Sequence, residues 1–320
     1  MPGEFDLIYK YFAGHDHGSR VELGIGDDCA LLKLRRDESL AITTDTLNEG
    51  IHFFKDTDPY LLGYRALLVN LSDLAAMGAD PKAFTLSLSL PEARDDFLEP
   101  FAKGLFELAD EEQCALIGGN TSKGPLSITV SAYGVTAADA LRRSGAKSGD
   151  GIYVTGSLGL CALYVEAGYG RLKLDKSLLS SLCYKSMHQQ CRCAFAKELC
   201  DLEYSGCAID ISDGIVGDLG HILECSKAGA DLWLDKLPLA QELNTLVDDE
   251  QKRLELAAFG GCDYELLFTS SSANEEEVMA LSEELNVPVT KVGIITSSQE
   301  LRLFNHGKIV RPAAKPFEHF

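Results

Sequence analysis

From Ala83 to Pro91 the chain reads AFTLSLSLP, and its alternation is strict. Phe84, Leu86, Leu88 and Leu90 fall on one side of an extended backbone and Thr85, Ser87 and Ser89 on the other. One side calls for cover and the other does not, so this is a half-buried strand. Before it, YLLGYRALLVNLSDLAAMGA spaces Leu62, Ala66, Val69, Leu74 and Met77 as a helix, stopping at Gly78 with Pro81 beyond. After it, a helix is expected from about Asp95 to Glu112, followed by the strand LSITVSAYGV. Helices and strands mixed in this way predict an α/β or α+β fold.

The remaining segments continue the mixture. Leu7, Ile8, Tyr11 and Phe12 mark a short N-terminal helix, and LAITTDT is a strand delivering Thr43, Thr44 and Asp45 to its C-terminal end. Later, IYVTG, CAIDIS, ADLWLDKLPL, ELLFTS, VTKVGIIT and LRLF are expected as strands. LGLCALYVEAG, GIVGDLGHILECSKAG (ending on Gly229) and NEEEVMALSEEL are expected as helices, with a longer helical region from about Lys176 to Leu202. A length of 320 residues favours two domains. The stretch ALRRSGAKSGDG, rich in Gly and Ser and carrying Arg142, Arg143 and Lys147, marks the crossing. The expected domains are 1–139 and 140–320.

A net charge of −20 disfavours nucleic acid and anionic membrane as partners. It also opposes a free nucleotide triphosphate, so phosphate substrates would need bridging cations. The N-terminus has no basic and apolar signal-peptide pattern, and no apolar run reaches the roughly 18 residues of a membrane helix. A cytoplasmic protein is expected. The ten cysteines then read as reduced thiols packed in helices, and the cluster from Cys183 to Cys207 has no C-x-x-C spacing for zinc.

Aspartates fall at breaks in apolar segments. Asp27 and Asp28 follow GIG, Asp45 ends a strand, Asp73 lies inside an apolar helix, and Asp210 and Asp213 flank Ser212. Each has a bland explanation as a turn residue, strand end or helix cap, except Asp73, whose carboxylate on a buried face needs a partner or a cation. Together they suggest a site for several Mg2+ ions, which take oxygen ligands. LIGGNTSKG has phosphate-loop composition without P-loop spacing, and is read as a glycine turn before a strand. No nucleophile triad can be assembled.

ELGIGDDCALL, TTDTLNEGIHF, VNLSDLAAMGADP, LIGGNTSKGPLSIT, RSGAKSGD, AIDISDGIVGDLGHI, GGCDYELLF and the terminal FEHF occur in one order. In that order the chain resembles the thiamine-monophosphate kinases, within the superfamily that holds aminoimidazole ribonucleotide synthetase and selenophosphate synthetase. The resemblance spans nearly the whole chain. It implies transfer of the γ-phosphoryl group of ATP to thiamine monophosphate, with several Mg2+ ions. It implies Asp27, Thr43, Thr44, Asp45, Asp73, Asn120, Asp210 and Asp213 around metal, and Gly119, Asn120, Arg143 and Ser212 at ATP. His52, Cys262 and Phe317 would face thiamine monophosphate. The implied fold has two α/β domains in the manner of aminoimidazole ribonucleotide synthetase. The N-terminal sheets pair across a homodimer into a barrel.

Three stretches depart from that family's pattern. Asn120 stands where an Asp is usual, Cys262 where a Glu is usual, and Gln189, Gln190, Cys191 and Cys193 where prolines are usual after a His. Asn120 offers a carbonyl oxygen but no charge, and the Cys262 thiol is a weak acceptor. Two alternatives follow. One is a superfamily enzyme with another substrate. The other is a weakly active protein that binds ATP and metal.

Overall fold

The computed structural model describes residues 4–15, 17–25, 29–136, 140–200, 202 and 206–311. The chain divides into two compact units. One comprises Met1–Leu74 and Ala79–Asp139, the other Ala75–Gly78 and Ala140–Phe320.

The N-terminal unit begins with α1 (Glu4–Tyr11), the short strands β1 (Val21–Leu23) and β2 (Leu31–Leu32), and β3 (Ser39–Asn48). Then come α2 (Pro59–Ala76), β4 (Asp80–Leu90), α3 (Asp95–Glu111), β5 (Ala115–Lys123) and β6 (Ser127–Thr136). The four longer strands form one sheet in the order β3-β6-β4-β5, antiparallel except for β4 with β5. The alternation in β4 is realised as read: Phe84, Leu86, Leu88 and Leu90 are buried, while Thr85, Ser87 and Ser89 are not. The buried set belongs to a core that also holds Leu67, Leu71 and Leu74 of α2 and Phe101 and Leu105 of α3. Those two helices touch backbone to backbone. A Cβ on Gly63 would come within 2.0 Å of the Phe101 carbonyl oxygen, and one on Gly104 within 1.9 Å of that of Tyr60. Tyr60 adds a hydrogen bond to Glu107 at 2.6 Å. The other sheet face carries Ile42, Thr44, Thr46, Thr129 and Ser131. At one end of that face Val21, Ala30, Leu32 and Tyr133 pack on Ala83, Ala115 and Ile117.

The C-terminal unit holds β7 (Gly151–Thr155), α4 (Leu160–Gly168), α5 (Lys176–Met187), α6 (Cys193–Cys200), β8 (Ala208–Asp210) and α7 (Ile215–Ser226). It continues with β9 (Gly229–Trp233), α8 (Gln241–Leu246), α9 (Glu250–Phe259), β10 (Leu266–Ser270) and α10 (Glu275–Glu284). It closes with β11 (Val289–Thr296), β12 (Leu301–Asn305) and β13 (Lys308–Val310). Seven strands make one sheet, β13-β12-β9-β11-β7-β10-β8, in which only β12 and β9 run parallel. Its core gathers Ile152, Val154, Ile209, Leu219, Leu232 and Leu267 with apolar faces of the surrounding helices.

Local expectations are corrected in several places, and β3 does not end on Asp45 but continues to Asn48. GGNTSK is not a turn: it lies within β5, parallel to β4. Gly119 is glycine there because a Cβ would sit 1.9 Å from the Leu86 carbonyl oxygen. The helical region expected from about Lys176 to Leu202 holds two helices, α5 and α6, with residues 188–192 irregular between them. Neither Pro nor Gly announces that break. α7 ends at Ser226 with Lys227 left-handed, and Gly229 opens β9, where a Cβ would meet the Ser298 and Glu300 carbonyls. The basic crossing is fastened to the C-terminal unit. Ser226 Oγ accepts from the amides of Gly145 and Ala146 at 3.2 Å each, and Ala208 N donates to the Arg142 carbonyl.

Candidate active site

In the N-terminal unit, β3 and α2 bring three of the expected residues together. The Thr43 hydroxyl donates to the Asp73 carboxylate. Asp45 lies close enough to feel the Asp73 charge: burial, and then that charge, push its carboxyl up to about 6. Two carboxylates in a partly desolvated place repel one another, and a bound cation relieves that cost. Hydroxyl and carboxylate oxygens are the donors a hard divalent ion takes, so the residues fit Mg2+. Asn70, fully buried, sets the register. Its side-chain oxygen accepts from Asp45 N at 3.1 Å while its Nδ2 donates to the Ala66 carbonyl. Sequence reading missed Asn70, although it sits in the same NLSDL run as Asp73.

Strand period separates the rest of this unit's set. Thr44 stands between Thr43 and Asp45, so its side chain lies on the opposite sheet face, where its hydroxyl donates to Ser131 Oγ at 2.8 Å. Register places Thr46, Thr129, Ser87 and Asn120 in one row across the sheet, and Asp45, Val130, Leu86 and Gly119 in the next. Asn120 thus shares the face of Thr44, not that of Asp45, and lies three strands away, about 14 Å at ordinary strand spacing. Gly119 is in the Asp45 row. The structure brings Thr43, Asp45 and Asp73 together and sets Thr44 and Asn120 apart from them. His52 is exposed in the turn after β3, its Nδ1 accepting from Asn48 N at 3.0 Å. Asp27 and Phe317 lie outside the described residues.

In the C-terminal unit, Asp210 ends β8, buried, and Ser212 and Asp213 form the loop into α7. Asp218, on the first turn of α7, reaches back and accepts from Asp213 N at 3.2 Å. Burial pushes the Asp218 carboxyl up to about 7. Gly214 is left-handed and has no room for a side chain, since a Cβ would meet the backbone of Phe259 and Gly260. The segment carrying Cys262 lies alongside. Cys262 N donates to the Ser212 carbonyl at 2.7 Å and Tyr264 N to that of Ile211 at 2.8 Å. Cys262 and Tyr264 both take left-handed φ values, 68° and 50°. Arg143 is exposed, its carbonyl accepting from Ser226 Oγ.

Beneath that segment is a polar network that sequence reading also missed. Glu265 meets Arg192 through two hydrogen bonds, Nε to Oε2 at 2.6 Å and Nη2 to Oε1 at 2.8 Å, with both side chains buried. Burial opposes the Arg192 charge, but the Glu265 bond and charge override it and raise the guanidinium pKa. Thr155 Oγ1 donates to Glu265 at 2.6 Å. Asp263, fully buried at the N-terminal end of α4, accepts from Gly159 N at 3.0 Å. The only signal in the sequence was acidic residues flanking a tyrosine next to a glycine pair.

Residues 26–136 match the family described as AIR synthase related protein, N-terminal domain, and residues 147–305 match its C-terminal domain. The chain is thus a two-domain protein of that class. It is 45% identical over 99% of its length, and 98% of the relative's, to a thiamine-monophosphate kinase of Escherichia coli. It is 33% identical, at the same coverage, to that of Aquifex aeolicus. Among solved structures, the thiamine-monophosphate kinase of Stenotrophomonas maltophilia superposes with a TM-score of 0.84 at 40% identity, over 91% of this chain and 93% of that one. AaThiL complexed with AMPPCP and TMP superposes at 0.76 and 31% identity, over 99% and 97%. The chain belongs to the thiamine-monophosphate kinase family.

Proposed function

We propose that this protein transfers the γ-phosphoryl group of ATP to thiamine monophosphate, yielding thiamine diphosphate and ADP, in a direct in-line step. The observation that carries this reading is full-length similarity to a relative complexed with AMPPCP, an ATP analogue, and TMP. The acceptor is a phosphate oxygen, already anionic at neutral pH, so the protein needs no strong base. Its work is positioning and charge neutralisation. Bound Mg2+ ions would supply the positive charge that lets polyanions approach so acidic a chain.

Thr43, Asp45 and Asp73 would hold cations in the N-terminal unit, with Asn70 keeping β3 in place. Asp27, Asp210 and Asp213 serve the same need. Thr44 and Asn120 remain proposed metal contacts, and their face of the sheet is the one left open. Ser212 contacts ATP, Arg143 meets its phosphates, and Gly119 approaches it through the backbone. His52, Cys262 and Phe317 serve thiamine monophosphate. A homodimer joining two N-terminal sheets into a barrel is part of this proposal. It is supported by the long edge strands β3 and β5 and by exposed Leu40 and Ile42 on β3. No helix among the described residues is long and apolar enough to cross a membrane, in keeping with the cytoplasmic placement proposed.

Purified protein with ATP, millimolar Mg2+ and thiamine monophosphate should form thiamine diphosphate, read by chromatography. Absence of product under those conditions overturns the proposal.

A further inference from the structure

The motifs YVTGSLG and GGCDYELLF meet in the C-terminal unit. Thr155, Gly156 and Gly159 of the first form a socket for Asp263 and Glu265 of the second. A Cβ on Gly156 would lie 1.9 Å from Glu265 Oε1, so glycine is the residue that lets the carboxylate in. Thr155 Oγ1 donates to Glu265, and the Leu266 amide donates to Thr155 Oγ1 at 2.8 Å. From the segment between α5 and α6, Arg192 grips both carboxylate oxygens of Glu265 and Gln189 Nε2 donates to the Asp263 carbonyl at 2.8 Å.

These anchors alternate with the two left-handed residues. Asp263 sits between Cys262 and Tyr264, and Glu265 follows. A left-handed non-glycine residue is strained, and it persists where its surroundings over-determine it. Here the surroundings are the Asp263 and Glu265 anchors on one side and the Ser212 and Ile211 carbonyls on the other. Removing the grip on Glu265 frees the segment to relax, and the Ser212 carbonyl loses a fixed partner.

We infer that Arg192 is a positioning residue. Through Glu265 it clamps the 260–265 segment in its left-handed form and so holds position 262 and the Ser212 loop in one fixed arrangement. The inference rests on the proposed placement of Cys262 at thiamine monophosphate and Ser212 at ATP. Arg192 is buried with its guanidinium taken up by Glu265, so it acts through that carboxylate. It sets the distance between the walls of the two substrates, and both should sense its loss.

The test uses the full chain with Arg192→Met, Arg192→Lys and Glu265→Gln. Iodoacetamide labelling, resolved by peptide mass spectrometry, reports on the Cys262 thiol, with exposed Cys225 as an internal reference. In Arg192→Met the Cys262 rate should rise about tenfold over Cys225, reflecting local opening. In steady-state kinetics KM for both thiamine monophosphate and ATP should rise together by about tenfold, with a smaller change in kcat. Arg192→Lys, which keeps the charge, should recover much of both effects, and Glu265→Gln should reproduce them in part. Unchanged Cys262 labelling in a folded variant overturns the clamp. A fall in active fraction with both KM values unchanged overturns the positioning role. Labelling needs no turnover, so an unaltered protein without kinase activity would defeat the functional reading while labelling still decides the clamp.

Discussion

Asp45 and Asp73 in the N-terminal unit stand beside one another in a partly buried place, and burial with the Asp73 charge pushes Asp45 up to about 6. Asp263 and Glu265 in the C-terminal unit are more deeply buried, yet one meets the N-terminal end of α4 and the other a two-pronged guanidinium. The second pair is neutralised by the chain itself. The first is a place where charge is gathered and where an added cation is favourable. Carboxylate burial alone therefore does not distinguish a metal site from a brace; the neighbouring charge does.

The comparison breaks first at Asp73. Asp73→Asn should lower kcat by about a thousandfold, the scale of removing one charge-stabilising group at a reacting centre. A loss below tenfold in a Mg2+-saturated assay would take the Thr43–Asp45–Asp73 group out of the site. The brace should show the converse pattern. Arg192→Met leaves Glu265 buried without its cation and should cost about 3–5 kcal/mol in urea unfolding, whereas Asp73→Asn in EDTA should cost little.

The pH response sharpens the difference further. A carboxyl whose folded pKa is raised helps stability below its unfolded value and loses that contribution as pH rises through the folded value. For Asp45 the window runs from 3.8 to about 6, and for Asp218 from 3.8 to about 7. Without metal, stability, and melting temperature with it, should fall from pH 4 to pH 8, by roughly 2–3 kcal/mol for Asp45 and about 4 kcal/mol for Asp218. Asp45→Asn should flatten its share at pH 8 and do little at pH 4. Added Mg2+ should restore the unaltered protein but not the variant. Melts in EDTA and in Mg2+ check both signs.

The smallest effect is expected at Asn120. Asn120→Asp adds a carboxylate on the open face, and the Mg2+ concentration for half-maximal activity should fall about tenfold. An unchanged Mg2+ curve would mean that this face does not contribute a ligand.

Much of this was legible in the chain. Asp73 stood out because a carboxylate interrupted an apolar helix, and Asp45 because the apolar run before it gave way to polar residues there, although β3 continues to Asn48. Thr43 and Thr44 were both expected at metal, but the period of two in a strand puts them on opposite faces, one at Asp73 and the other at Ser131. Asn120 was less readable. Its glycine pair looked like a turn, and only the register of β5 against β4 shows a strand with Gly119 pressed on Leu86. Arg192 was not readable at all. It is distant in sequence from Glu265, and the irregular segment that delivers it carries no Pro or Gly to mark it.

Periodicity by itself determined the local faces: which side of β4 is covered, which stretches are helices, and where acidic residues fall in the chain. Those follow from local geometry, since side chains repeat every two residues in a strand and every 3.6 in a helix. Partnership was decided only by the tertiary structure. Whether a carboxylate faces another carboxylate, as at Asp45, or an arginine, as at Glu265, depends on contacts between segments distant in sequence, and that choice makes one charge the proposed place for metal and the other the proposed clamp.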